Sequence, residues 1–325
     1  MKRSVQQIIG AFLLGLLVPG MLLNIGASFG YDGGEKPQQT QSTHPDTTIP
    51  PSWRREISVD FNGEVKRMDL ESYLVGVVLA EMPTSFEDAA LQAQAVVART
   101  YALKRQQQRD HHSDGAVCTD HRCCQAYIAV EDYLNGMGYQ EDVDKASRAV
   151  QATAGQVVTY ESALIEATYF SCSGGRTEDA AAVWGEDYPY LQSVISPGEE
   201  KAEYYEDTAV FTKEQLEEAL GRQLYGSAQD WIGWCTYTVG GGVDKFCFAG
   251  EIYKGTQLRQ ILGLRSTMFT IRAVEDGIEV TTCGSGHRVG MSQWGAEAMA
   301  LAGSSVAEIL AHYYPGTKLE TMISS

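Results

Sequence analysis

Apolar and polar positions alternate from Glu56 to Met68, with Ile57, Val59, Phe61 and Val65 in one register around Asn62-Gly63. That period of two, interrupted by an Asn-Gly pair, predicts a β-hairpin. The apolar run Leu74, Val75, Val77, Val78, Leu79 and Ala80 comes next and stops at Glu81-Met82-Pro83. Pro83 biases Met82 away from helical backbone, so a first helix ends at about Glu81. Ser85 reads as the cap of a second helix, with Asp88 in the place of a capping-box acid and Leu91, Ala95, Ala98 and Ala102 recurring at helical spacing.

Further along, an acidic helical segment is predicted over 130–153, strands over 156–160 and 165–170, and a helix over 211–220 with Thr212 as cap and Gln215 behind it. A short helix at 258–262 precedes strands at 268–271 and 278–281, joined across Asp276-Gly277. Ser292 caps a helix running through Ala296, Ala298 and Met299. Hairpins interleaved with helices predict an α+β fold, with mixed, largely antiparallel strands and two lobes around a cleft.

The N-terminus has a different pattern. Lys2 and Arg3 precede an apolar stretch from Ile8 to Ala27, about the 20 residues that span a bilayer as a helix. It is longer than the apolar part of a signal peptide, and Ala27-Ser28-Phe29 is a poor cleavage site, so the reading is an uncleaved anchor. Positive charge on the short side keeps that end cytoplasmic and places the remainder outside. Gly, Gln, Thr, Ser and Pro then dominate without periodicity, as in a tether. The predicted organisation is tip and anchor over 1–29, tether over 30–55 and one folded domain over 56–325. A net charge of -17 argues against nucleic acid as a partner.

Candidate chemistry concentrates in four stretches. Glu81 sits at the helix elbow among apolar residues, where it either points into water or is desolvated and so suited to general acid work. Ser171 to Glu178, SCSGGRTE, is either a plain turn or a loop whose amides and hydroxyls meet a sugar. Aromatic groups at Trp184–Tyr190 and at Trp231, Trp234 and Tyr237 either pack or stack on sugar rings. Gly284 to Ala300 places His287, Ser292 and Gln293 near one helix N-terminus.

Seven cysteines leave at least one thiol unpaired within the chain. His111, His112, Cys118, Asp120, His121, Cys123 and Cys124 offer potential metal ligands within fourteen positions. Zinc and a Cys118 disulfide to Cys123 or Cys124 both fit an exported protein.

Three separated stretches, Leu79 to Leu103, Tyr169 to Glu178 and Gly286 to Pro315, closely resemble the stage II sporulation protein D family. The resemblance implies a membrane-anchored lytic transglycosylase that cuts peptidoglycan glycan strands in the mother cell during engulfment of the forespore. It implies Glu81 as catalytic acid and base, with Ser171, Ser173, Glu178, His287, Ser292 and Gln293 lining the glycan cleft. Arg288 stands where the family has glycine and Cys172 where it has a small residue. The Arg288 guanidinium is a candidate to hold a peptide or lactyl carboxylate.

The resemblance also implies structural zinc on His112, Cys118, Cys123 and Cys124, with cysteine where the related pattern has its second histidine and His121 as the substitute ligand. It further implies glycan already stripped of stem peptides by a partner amidase, and an engulfment complex at the membrane. A non-catalytic wall-binding scaffold and a zinc-dependent amidase are the rival readings.

Overall fold

The computed structural model describes residues 55–109, 112, 115–136 and 138–322; the predicted anchor, the tether up to residue 54, and His111 lie outside them. From Arg55 onward the described residues belong to one compact unit. Among them no helix is long and apolar enough to cross a membrane.

β1 (Glu56–Phe61) and β2 (Glu64–Asp69) form the predicted antiparallel hairpin, with Asn62 and Gly63 at φ 56° and 97°. Asp69 ends β2 and caps α1 (Leu70–Glu81), its carboxylate accepting from Ser72 N–H at 2.9 Å. Met82 is extended ahead of Pro83, as the sequence predicts.

The next helix, α2 (Asp88–Gln108), begins later than a Ser85 cap implies. Ser85 is exposed, and Glu87 is the N-cap, without a side-chain cap bond. The Glu87 N–H is held instead by Glu297 Oε2 at 2.7 Å, so a partner 210 positions away sets this boundary.

α2 is the axis of the larger core. Ala90, Ala93, Ala95, Ala98 and Ala102 are fully buried, so small side chains let neighbouring helices approach closely. Arg99 is buried in the same helix. Its Nε and Nη2 donate to Glu71 at 2.9 and 2.5 Å, and further bonds reach the Gln156 and Val150 carbonyls.

β3 (Val117–Cys118) adds parallel to β1. The acidic segment divides at Gly136 into α3 (Val130–Asn135) and α4 (Gln140–Ala152). β4 (Gln156–Tyr160) follows, then the two-residue strands β5 (Ala163–Leu164) and β6 (Tyr169–Phe170), and α5 (Ala180–Trp184).

A second, separate core is built from β7 (Glu206–Thr212), α6 (Lys213–Leu220), α7 (Ala228–Trp231), β8 (Ile232–Tyr237), β9 (Val243–Phe248), β10 (Glu251–Lys254), α8 (Gly255–Leu262), β11 (Met268–Val274) and β12 (Gly277–Cys283). Its two antiparallel sheets run β10-β9-β8 and β11-β12-β7. Thr212 and Gln215 form the predicted capping box of α6.

The chain then returns to the larger core through β13 (Met291–Ser292), α9 (Gln293–Leu301), α10 (Val306–Tyr313) and β14 (Lys318–Thr321), the last antiparallel to β4. The fold is α+β with mostly antiparallel strands.

Candidate active site

Glu81 is the last residue of α1 and is half-buried on the wall of a cleft of about 830 Å³. Desolvation raises its pKa above the 4.5 of an ordinary glutamate. Three hydrogen bonds pull the other way and hold the carboxylate in place. Ala126 N–H donates to Oε1 at 2.7 Å, the Tyr169 hydroxyl lies 3.3 Å from the same oxygen, and Gln293 Nε2 is 3.4 Å from Oε2.

Behind Tyr169 the bonds continue. Gln125 Nε2 donates to the Tyr169 oxygen at 3.1 Å, and Gln125 Oε1 accepts from the Tyr73 hydroxyl at 3.1 Å. Gln125 is buried and also donates to the Ala98 carbonyl. Glu81 is thus oriented by a chain of buried groups from α1, α2, the 119–128 loop and β6.

A two-residue parallel ladder joins the distant stretches: Met291 pairs with Tyr169 and Ser292 with Phe170. It sets Tyr169 beside Gln293, so both reach Glu81. The approach requires glycine at 290, where φ is 85° and a Cβ would come 2.1 Å from the Thr168 carbonyl oxygen.

Of the residues expected to line the cleft, Ser171, His287 and Gln293 do so. Ser173, Glu178, Arg288 and Ser292 do not; all four are buried elsewhere. Ser173 and Ser292 both donate to Glu199, which is itself fully buried and also accepts the Gly174 and Gly175 N–H groups. Ser292 additionally caps α9, accepting from Gly295 N–H.

Arg288 is fully buried and cannot meet a ligand carboxylate from the cleft. It donates to Glu178 at 3.2 Å and to the Ser173, Arg176 and Gly240 carbonyls at 2.7, 2.8 and 2.7 Å. Glu178 also accepts from Thr238 Oγ1 and Gly242 N–H, both in the smaller lobe. The pair therefore fastens the glycine-rich loop to that lobe. Arg288 itself stands at φ 67°, in the region that favours glycine.

The residues lining this cleft all lie outside 206–283.

His287 faces the cleft with its ring 5.6 Å from Phe170 and 5.2 Å from Trp184. Its Nδ1 accepts from Val289 N–H at 3.1 Å, and burial, helped by the nearby charge of Arg259, lowers its pKa to about 4. The imidazole is neutral at physiological pH.

His112, Cys118, Cys123 and Cys124 bring their ligand atoms within 4.8 Å of one another, the set named from the sequence. His112 Nε2 is 3.3 Å from Cys123 Sγ, and His112 Nδ1 is 3.7 Å from Asp60 Oδ2. His121 is outside the cluster and largely exposed. Cys123 and Cys124 border the cleft, three and two positions from the Ala126 N–H that holds Glu81.

Tyr73, Gln125, Tyr169 and Glu199 were missed as supporting residues. Tyr169 opens the YFSCSGGRTE stretch, which is the one signal that pointed to it.

A family model described as stage II sporulation protein matches residues 61–160. The chain is similar to stage II sporulation protein D of Bacillus amyloliquefaciens, 36% identical over 337 aligned positions that cover 98% of this chain and 96% of that one. It is 38% identical to stage II sporulation protein D of Bacillus subtilis over 263 positions, covering 79% and 76%. An amidase enhancer of Bacillus subtilis is 29% identical over 76% of this chain but only 40% of its own length. The chain belongs to the stage II sporulation protein D family.

Proposed function

We propose that the protein is a sporulation lytic transglycosylase that cleaves peptidoglycan glycan strands with Glu81 as its single acid and base. The observation that carries this reading is one desolvated carboxylate, held by three donors, on the wall of a cleft. Two other carboxylates border the cleft. Glu166 is engaged by Arg105 at 2.5 Å and Gln108 at 3.2 Å, and Glu186 by the Tyr188 hydroxyl. Glu166 is thereby held in an ion pair with Arg105, and Glu186 is exposed and bonded to its neighbour Tyr188; a hydrolase would need one of them as nucleophile or to activate water.

A transglycosylase needs no second one. Glu81, protonated, gives its proton to the glycosidic oxygen as the bond from anomeric carbon to oxygen breaks. The same carboxylate then takes the proton of the sugar's C6 hydroxyl as that oxygen bonds to the anomeric carbon, closing a 1,6-anhydro ring and restoring the acid. A raised pKa serves the first half of the cycle, and the fixed position of the carboxylate serves the second.

His112, Cys118, Cys123 and Cys124 fit zinc: three sulfurs and one imidazole make the four ligands that a structural site uses. Asp60 stands beside the remaining histidine nitrogen, the usual place of an orienting carboxylate. With four protein ligands the metal would be structural and brace the loop that carries Ala126. That closed set opposes the amidase reading, which requires an open coordination position.

The remaining parts of the proposal are an anchored, extracytoplasmic protein in the mother-cell membrane facing the forespore, within an engulfment complex. A partner amidase is included, in keeping with the amidase enhancer among its relatives. Digestion of amidase-stripped glycan in heavy-oxygen water tests the reaction class. The products are expected to carry no label and to be lighter than hydrolysis products by one water; labelled reducing ends would identify a hydrolase instead.

A further inference from the structure

Large apolar side chains that are well exposed occur mainly away from the cleft, several of them, such as Tyr225, Trp234 and Ile252, in the smaller lobe. Among the described residues, Trp184 is the one that is both exposed, at 44%, and part of the cleft wall. An indole left nearly half open in a concave site is a surface that awaits an apolar face.

Its position is fixed from both sides. Trp184 ends α5, whose first residue, Ala180, is buried and donates its N–H to the Leu191 carbonyl. Gly185 follows in the left-handed region at φ 82° and turns the chain sharply after the indole. On the other side the ring lies 5.2 Å from His287, which in turn lies 5.6 Å from Phe170. Phe170 adjoins Tyr169, which touches Glu81. Glu81, Tyr169, Phe170, His287 and Trp184 thus all line one cleft, with the indole two ring contacts from Phe170.

Around it the cleft is polar. Ser171, Ser285, Gln108 and Glu186 border the same space. A flat apolar ring with hydroxyl, amide and carboxylate groups around it matches a pyranose, which has one apolar face of C–H groups and a rim of hydroxyls.

We propose that Trp184, braced by His287 and Phe170, is a stacking platform for a sugar ring that neighbours, rather than includes, the cleaved linkage. The inference rests on the glycan-binding reading of the cleft. It gives His287 a positioning role: its Nδ1 is committed to Val289 N–H, and its ring supports the indole instead of transferring a proton. A platform remote from the reacting atoms holds ground state and transition state alike, so its loss raises KM more than it lowers kcat.

The test uses the full chain carrying Glu81→Gln, so that binding is read without turnover, with amidase-stripped glycan oligosaccharides as the probe in calorimetry. Adding Trp184→Ala is expected to weaken binding about three- to tenfold, and Trp184→Phe to restore most of it. In the active chain Trp184→Ala raises KM by a similar factor with kcat nearly unchanged.

Equal affinity of the alanine variant and its parent would overturn the platform, as would a parent that binds no glycan. Cleavage by wild type with an unchanged KM in Trp184→Ala refutes the platform and leaves the transglycosylase standing. Binding that depends on Trp184 in a wild-type chain that cleaves nothing does the reverse.

Discussion

The Tyr169 hydroxyl lies 3.3 Å from Glu81 Oε1 and is itself held by Gln125, so the position of the acid depends on a β6 residue 88 positions along the chain. Tyr169→Phe removes one donor to the carboxylate and leaves the ring in place. Activity on stripped glycan is expected to fall roughly ten- to a hundredfold. The lost bond had favoured the charged form, so the pKa of Glu81 rises and the alkaline limb of the rate profile moves to higher pH. An unchanged limb would show that the hydroxyl does not act on Glu81.

The raised pKa of Glu81 also makes a stability prediction. A carboxylate whose folded pKa lies above its unfolded value stabilises the fold only while protonated, and that contribution is lost as pH rises from about 4.5 through the folded pKa. Glu81→Gln removes the effect. Its melting temperature should match wild type in acid and exceed it near neutrality; the groups facing Glu81, namely Tyr169, Gln293, the Ala126 amide and His121, are unchanged. Parallel melting curves at all pH values would contradict the desolvation described.

Much of this geometry could be read from local pattern, and the reasons differ by residue. The turn at Asn62-Gly63 and the end of α1 before Pro83 were legible because backbone sterics act within a few residues. Glu87 replaced Ser85 as cap because the competing donor-acceptor pair, with Glu297, is tertiary. The same holds for Arg288. Its local context, a glycine-rich loop, pointed to a ligand carboxylate as its partner, and only the folded chain brings Glu178 and Gly240 to it. Glu81 lies on the cleft wall and His112, Cys118, Cys123 and Cys124 come together, residues that local motifs single out; no such motif marks Gln125 or Glu199, whose partners come from separate elements.

Arg288 and Glu178 predict a structural cost. Arg288→Gly suits the positive φ but strands a buried carboxylate, so stability should fall by about 3–5 kcal/mol in denaturant melts. The fall should shrink in Arg288→Gly/Glu178→Gln. Arg99→Ala, which strands buried Glu71, is expected to cost about the same. Additive losses in the Arg288/Glu178 pair would show that they do not interact.

For the cysteine cluster, protein purified without a histidine tag is expected to contain roughly one zinc per chain. Cys124→Ser should abolish that content and lower the melting temperature. Intact mass showing the loss of two hydrogens in a zinc-free chain would replace the metal with a disulfide.

In the proposed reaction Glu81 alone performs the proton transfers of a glycan-cleaving cycle. The most direct test is mass spectrometry of stripped peptidoglycan after incubation with wild type and with Glu81→Gln, both confirmed as folded. Wild type should release 1,6-anhydro-muramic ends and the variant none above background. Equal release of anhydro ends by both proteins would contradict that role for Glu81.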